Sequence, residues 1–275
     1  MDSHEKIYIM YQVLRSEYTE NSWFSNWDLK KLIIRETPEE VTSDIPVIAG
    51  GDIQRRYIRE WFNKNQPAIY IARGYVGNHL YKTRQLWRYS VNGWANTKLL
   101  PIPYSRWNTM KLERHPWKVK KIKNVLIAPS KMTSPLWDPN LGFEWANFMS
   151  TQFPGAEVKI RHKPRKSGLR WETLFQDFDW ADLVVAQGSA ITAEAFWYGK
   201  KVISTHPCST WATGQNTLED WQNPTEPILR DVWHEHLAWS QFKNSEWESG
   251  EAVTLIEKYF GSIINYDPNY SYSFL

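Results

Sequence analysis

Short apolar runs alternate with stretches of helical spacing along the chain, most regularly in its second half. Asn124–Ala128 (NVLIA), Glu157–Arg161, Leu183–Ala186 (LVVA) and Val202–Ser204 are each brief, rich in aliphatic residues and bounded by polar or small residues, which predicts strands. Between them lie longer stretches that predict helices: Asp138 to about Gln152, with Pro139 in the first turn, Trp171 to about Phe178, and Ala190–Tyr198. Strand–helix alternation of this kind predicts a parallel sheet with helices packed on its faces. Beyond it, Ile228–Phe242 and Glu246–Phe260 read as two amphipathic helices.

The first half carries the same pattern less regularly. Lys6–Tyr11, Ile45–Ala49 and Ala68–Ala72 are predicted strands, and Ile53–Asn65 is a predicted helix with Asp52 as its N-cap. Tyr81–Val91 alternates weakly and leads into Asn92-Gly93, a hairpin-turn signal. Pro101, Pro103 and Pro116 interrupt a basic stretch without periodicity. The expected organisation is an amino-terminal α/β domain with a hairpin over 1–110, a linker over 111–122, a second α/β domain over 123–260 and a tail over 261–275.

Composition narrows the class. No apolar run approaches the roughly 20 residues of a membrane-spanning helix. The segment MDSHEKIYIMYQ is acidic where a secretory leader would be basic, so the expected location is a cytoplasm. A single cysteine, Cys208, excludes an intrachain disulfide and four-cysteine metal sites. The net charge of +3 permits an anionic partner without requiring one. The positive residues concentrate in Lys111–Lys123 and Lys159–Arg170, which read either as solvated loops or as surfaces for anions. The 17 tryptophans exceed ordinary usage and serve either packing or the stacking of sugars and bases.

Candidate chemistry centres on Ala181–Ser204, ADLVVAQGSAITAEAFWYGKKVIS. A buried strand ends at Ala186, and a helix begins after Gln187, Gly188 and Ser189. Small residues there let a ligand approach the backbone. The first amides of the helix favour an anion such as a diphosphate. Ser189 and Thr192 offer hydroxyls, and the Glu194 carboxylate suits the hydroxyls of a ribose. The structural alternative is that Ser189 caps the helix and Glu194 complements its dipole.

The run Glu194-Ala195-x-x-x-Gly199-Lys200-x-Val202-Ile203 resembles the donor-site signature of GT-B-type glycosyltransferases. The specific part of this resemblance covers Ala181–Ser204. It implies two doubly wound, Rossmann-like domains with a cleft between them, followed by carboxy-terminal helices. It implies that Gly188, Ser189 and Ala190 meet a diphosphate and that Glu194 meets the ribose. Arg161-His162-Lys163-Pro164 is similar to the basic or His–Pro turn with which some such enzymes hold donor phosphates, so His162 and Lys163 join the candidate donor site. Arg165 and Lys166 are adjacent helpers. Positive charge there would stabilise a leaving diphosphate.

An acceptor hydroxyl needs a base. Asp52 is the candidate, with Asp28, Asp44 and His79 as rivals, and Arg73 and Gly74 are candidates for the same cleft. Asp177-Phe178-Asp179 and His234-Glu235-His236 read as structural, since neither spacing favours a shared metal. No metal and no cofactor beyond a nucleotide-sugar co-substrate is expected. The compact, tryptophan-rich style is similar to glycosyltransferases of tailed bacteriophages, which points first to a hydroxymethylated pyrimidine in DNA as acceptor. The alternatives are a glycosyltransferase of surface polysaccharide synthesis and a non-catalytic nucleotide- or nucleic-acid-binding protein.

Overall fold

The computed structural model describes residues 11–14, 32–35, 46–49, 69–77, 86–91, 95, 96, 99, 106–129, 142–162 and 170–264. The chain divides into two compact units that interleave in sequence. The first comprises 1–73, 89–93 and 242–275. The second comprises 74–88 and 94–241.

The strands of the first half are β1 (Tyr11–Leu14), β2 (Leu32–Arg35), β3 (Pro46–Ala49), β4 (Ile69–Arg73) and β5 (Leu86–Val91). With the late strand β10 (Gln241–Lys243) they form a six-stranded sheet in the order β10-β5-β4-β3-β1-β2. The pairings β1–β2, β1–β3 and β3–β4 are all parallel. Of the expected strand Lys6–Tyr11 only Tyr11 is described, as the start of β1, and the rest lies outside the described residues; β2 is an addition. The expected helix over 53–65 and the turn at Asn92-Gly93 lie outside the described residues. In the first unit, Phe242 packs against Tyr89 and Trp247, with ring centroids 5.7 and 5.6 Å apart.

The second unit holds the site. Its sheet consists of β6 (Asn124–Ala128), β7 (Glu157–Ile160), β8 (Leu183–Ala186) and β9 (Lys201–Ser204), all parallel, in the order β7-β6-β8-β9. Its helices are α1 (Arg106–Thr109), α2 (Gly142–Ser150), α3 (Arg170–Trp180), α4 (Ala190–Trp197) and α5 (Arg230–Trp239). Side chains alternate between the two faces of the sheet, as the period of a strand requires. Leu126, Val184 and Val202 join Leu174 and Phe178 of α3, Ala193 and Phe196 of α4, and Trp233 of α5. Val125, Ile127, Leu183, Val185 and Ile203 join Ala146 and Met149 of α2 on the opposite face. The chain therefore winds outward from β6 in both directions. The carboxyl ends of β6 and β8 lie at the point where the winding reverses, which is where doubly wound sheets bind ligands.

Residues 111–122, expected as a linker, are packed against this unit. The Trp197 indole donates to the Glu113 carbonyl at 2.7 Å, and the Trp117 indole donates to the Pro224 carbonyl at 2.7 Å. Val119 and Ile122 are buried. The helix expected over 228–242 ends at Trp239. Arg106, itself buried, donates to the Ala238 and Gln241 carbonyls and so neutralises the negative end of α5. The Gln241 amide then replaces a ladder neighbour, accepting from the Tyr75 and Val76 amides and donating to the Val76 carbonyl. The helix expected over 246–260 is two helices, α6 (Asn244–Glu248) and α7 (Glu251–Ile264), separated by Ser249 and by Gly250 at φ 76°.

Candidate functional site

Strand β8 is buried throughout, and the chain turns at its end through Gly188, whose φ of 61° suits a residue without a Cβ. Ser189 follows in extended conformation as the N-cap of α4, and its Oγ accepts from the Ile191 amide at 3.5 Å. This contact is at the long limit of a hydrogen bond and adds little. Among the described residues, the amides of Ser189 and Ala190 have no protein acceptor. These are the unsatisfied donors of a helix start, placed at the reversal point of the sheet. Gly188, Ser189 and Ala190 thus stand together where the sequence puts them.

Two residues of the same segment have more internal roles. Thr192 is fully buried, and its hydroxyl donates to the Ser189 carbonyl at 2.7 Å. That bond braces the turn, so Thr192 does not offer its proton to a ligand as expected. Glu194 is 4% exposed, on the buried side of α4, and its carbonyl accepts from the Tyr198 amide.

The rest of the signature is structural. Gly199 has φ 87°, and a Cβ there would overlap the Pro116 carbonyl oxygen. The Lys118 amide donates to the Gly199 carbonyl at 2.9 Å, which holds the 116–118 segment against the turn. The Lys118 ammonium lies 3.3 Å from the centroid of the Tyr198 ring. Burial, and then the hydrogen bond to Asp179, push the Tyr198 hydroxyl up to about 12. Lys200 is buried, which lowers its pKa. Lys201 donates to the Asp220 and Asn223 carbonyls, and burial brings its ammonium down to about 8.

Strand β7 ends beside β6, since the Arg161 amide donates to the Ile127 carbonyl at 2.8 Å. The basic residues there are used within the unit. Lys159 and Arg161 both pair with Asp177, and Arg161 also donates to the Thr173 carbonyl and hydroxyl. Asp177 and Asp179 are thereby engaged by a lysine, an arginine and a tyrosine. His162 follows as an exposed residue at the ligand side of the sheet. Lys163, Arg165 and Lys166 lie outside the described residues, as do Asp28, Asp44, Asp52 and His79. Arg73 ends β4, and the Gly74 amide donates to the Leu86 carbonyl at 2.8 Å. His234 and His236 are buried in α5, and burial lowers them to about 3 and about 4. His234 meets the Trp107 and Trp233 rings edge to face, and its neighbour Glu235 accepts from the Trp107 amide and Arg114. Among the described residues, no group of three or more His, Cys, Asp or Glu side chains is arranged to hold a metal ion.

Strand β9 brings residues that the motif did not mark. Ser204 accepts from the Gly188 amide at 3.1 Å and donates to the His206 carbonyl at 2.7 Å. The Thr205 amide continues the ladder to Ala186. The sequence held no distinctive signal for them, since β9 already opens on a polar residue, Lys201.

No protein-family model matches the chain, and no curated protein matches it. Solved structures do. The chain is similar in fold to the beta Kdo 2,7 transferase of Thermosulfurimonas dismutans KpsC, with a TM-score of 0.53 and 13% identity, covering 89% of this chain and 98% of that one. It is likewise similar to the beta Kdo 2,4 transferase of the same organism's KpsC, with a TM-score of 0.51 and 12% identity over 90% and 98% of the two chains. At this identity the likeness establishes a shared α/β fold. Neither neighbour is described as acting on DNA, so the expectation of a phage DNA-modifying enzyme has no support. The internal pairing of Lys159, Arg161 and Lys201 also leaves less free charge for a nucleic-acid backbone than the sequence suggested. No helix among the described residues is long and apolar enough to cross a membrane.

Proposed function

We propose that the chain is a nucleotide-sugar-dependent glycosyltransferase of surface polysaccharide synthesis, with its donor site at the Gly188–Ala190 turn. The observation that carries this reading is the pair of unpartnered Ser189 and Ala190 amides at the reversal point of a doubly wound sheet. The likeness to two transferases that act with Kdo supports a glycan acceptor over DNA. In this reading the turn amides hold the diphosphate or phosphate of the donor, Glu194 meets the ribose, and His162 with Lys163 supports the leaving group. Asp52 of the first unit is the base that deprotonates the acceptor hydroxyl.

Thermal shift against UDP-, GDP-, ADP- and CMP-sugars tests the donor site first. A ligand at a hundredfold excess over Kd stabilises the native state by about 2.7 kcal/mol. That corresponds to a rise of roughly 5–10 °C in a chain of this size. Transfer to glycan acceptors with the nucleotide sugar that binds then tests the activity. No shift with any of them at millimolar concentration, together with no transfer, would sink the reading.

A further inference from the structure

The exit of β9 carries polar groups that the donor signature does not include. Ser204 is 1% exposed and stands opposite Ala186 in the parallel register. Its hydroxyl makes two bonds, accepting from the Gly188 amide and donating to the His206 carbonyl. Both partners are backbone groups of ligand-side loops. One buried hydroxyl therefore fastens the Gly188 turn to residue 206.

The His206 ring is half-buried, and its Nδ1 lies 3.1 Å from the Thr205 hydroxyl. Among the described residues, Nε2 has no hydrogen-bond partner. Burial lowers the pKa of the ring, which keeps it neutral at neutral pH. A neutral imidazole that accepts from Thr205 at Nδ1 carries its proton on Nε2 and donates from there. In that tautomer the ring is a hydrogen-bond donor on a residue whose carbonyl Ser204 ties to the Gly188 turn.

We propose that His206 contacts the donor substrate held by the Gly188–Ala190 turn, donating Nε2–H to an oxygen of that anionic nucleotide sugar, and that Ser204 is the positioning residue that sets His206 and the turn relative to each other. This inference rests on the donor-site reading above. It adds a recognition residue from β9 to those of β8.

Titration calorimetry of the 275-residue chain with UDP, GDP, ADP, CMP and inorganic pyrophosphate tests it. For whichever probe the wild type binds, His206→Ala is expected to raise Kd about tenfold, the effect of losing one hydrogen bond to a charged group, with the melting temperature of the free protein nearly unchanged. His206→Gln, which keeps a neutral N–H donor, is expected to recover part of the affinity. Ser204→Ala is expected to raise Kd as well, and Ser204→Thr to restore it. In the His206→Ala background, Ser204→Ala should add less than it does alone, because part of its effect passes through His206. Tight binding by the wild type with an unchanged Kd for His206→Ala overturns the His206 assignment and leaves the donor site standing. A Ser204→Ala variant that melts lower but binds with wild-type Kd overturns the positioning role. If Ser204→Ala does not fold, the His206 variants decide the recognition residue, and Ser204→Thr against wild type decides the positioning role. Absence of binding by the wild type to every probe overturns the donor site, and this inference with it.

Discussion

Gly199 lies in the signature that suggested a donor site, yet its surroundings assign it to the fold, and substitution separates the two roles. Its φ of 87° is unfavourable for any residue with a side chain, at a cost of about 1–2 kcal/mol. A Cβ would also displace the Pro116 carbonyl and loosen the Lys118 amide bond to Gly199, a further cost of about 0.5–1.5 kcal/mol. Gly155 supplies the control. It has φ 79°, and a Cβ there would meet nothing within 4 Å. Gly155→Ala should therefore cost the backbone term alone, whereas Gly199→Ala should cost roughly 1.5–3.5 kcal/mol. At about 2–4 °C per kcal/mol, scanning calorimetry should show Gly199→Ala melting roughly 3–14 °C below wild type and Gly155→Ala roughly 2–8 °C below. The affinity of folded Gly199→Ala for a bound nucleotide should match wild type. Equal melting losses for the two variants would refute the role of the 116–118 segment. Preserved melting with lost nucleotide affinity would return Gly199 to the ligand.

Four further outcomes are expected. Asp177→Asn leaves the buried Arg161 guanidinium without its carboxylate, and urea unfolding should show a loss of about 3–5 kcal/mol. His236, held at about 4 by burial, stays neutral in the native state while the unfolded chain takes up a proton below about 6.5. Its stabilising contribution is therefore fully present above pH 6.5 and is lost as pH falls toward 4, at up to about 1.4 kcal/mol per pH unit. Urea titrations at pH 7, 6 and 5 should show this slope, and His236→Gln should reduce it, leaving the part that the likewise buried His234 contributes. Glu194→Gln should weaken nucleotide binding about tenfold or more in calorimetry, while Asp52→Asn should abolish transfer and leave nucleotide binding intact. A Glu194→Gln variant that binds like wild type would move the ribose away from that carboxylate.

The parallel sheet of the second unit was readable because β6, β8 and β9 are buried on both faces. NVLIA and LVVA need no partner pattern to declare themselves. What escaped was long-range. Nothing between Ile228 and Phe242 marks a helix end, since α5 stops where Arg106 meets its carbonyls and Gln241 meets Tyr75 and Val76. Strand β2 is four residues after two lysines, too short to show a period. Residues 111–122 look like a linker because their anchors are aperiodic, with Trp117 donating to Pro224 and the Glu113 and His115 carbonyls accepting from Trp197 and Arg230. The Gly188–Ala190 turn was legible from small residues after a buried strand. Ser204 and His206 were not, because their place depends on a hydrogen bond across two strand ends.

The signature thus divides into two parts with different physical meaning. In its first part, Gly188, Ser189 and Ala190 present backbone donors that the fold leaves unused. In its second part, Gly199, Lys200 and Lys201 are taken up by the 116–118 segment, by burial and by the 220–223 loop. A match across both parts reports the fold twice and the ligand once. The same distinction bears on the acceptor. Basic residues that seemed suited to DNA are paired within the unit: Lys159 and Arg161 with Asp177, and Arg114 with Asp231 and Glu235. Among the described residues of the 111–123 segment, Lys111, Lys120, Lys121 and Lys123 remain exposed, and four lysines on one short segment are a weak electrostatic footprint for a duplex. A small polar acceptor such as a glycan hydroxyl makes no such demand on surface charge. The pairing of these charges within the unit fits the proposed glycan acceptor better than a nucleic acid.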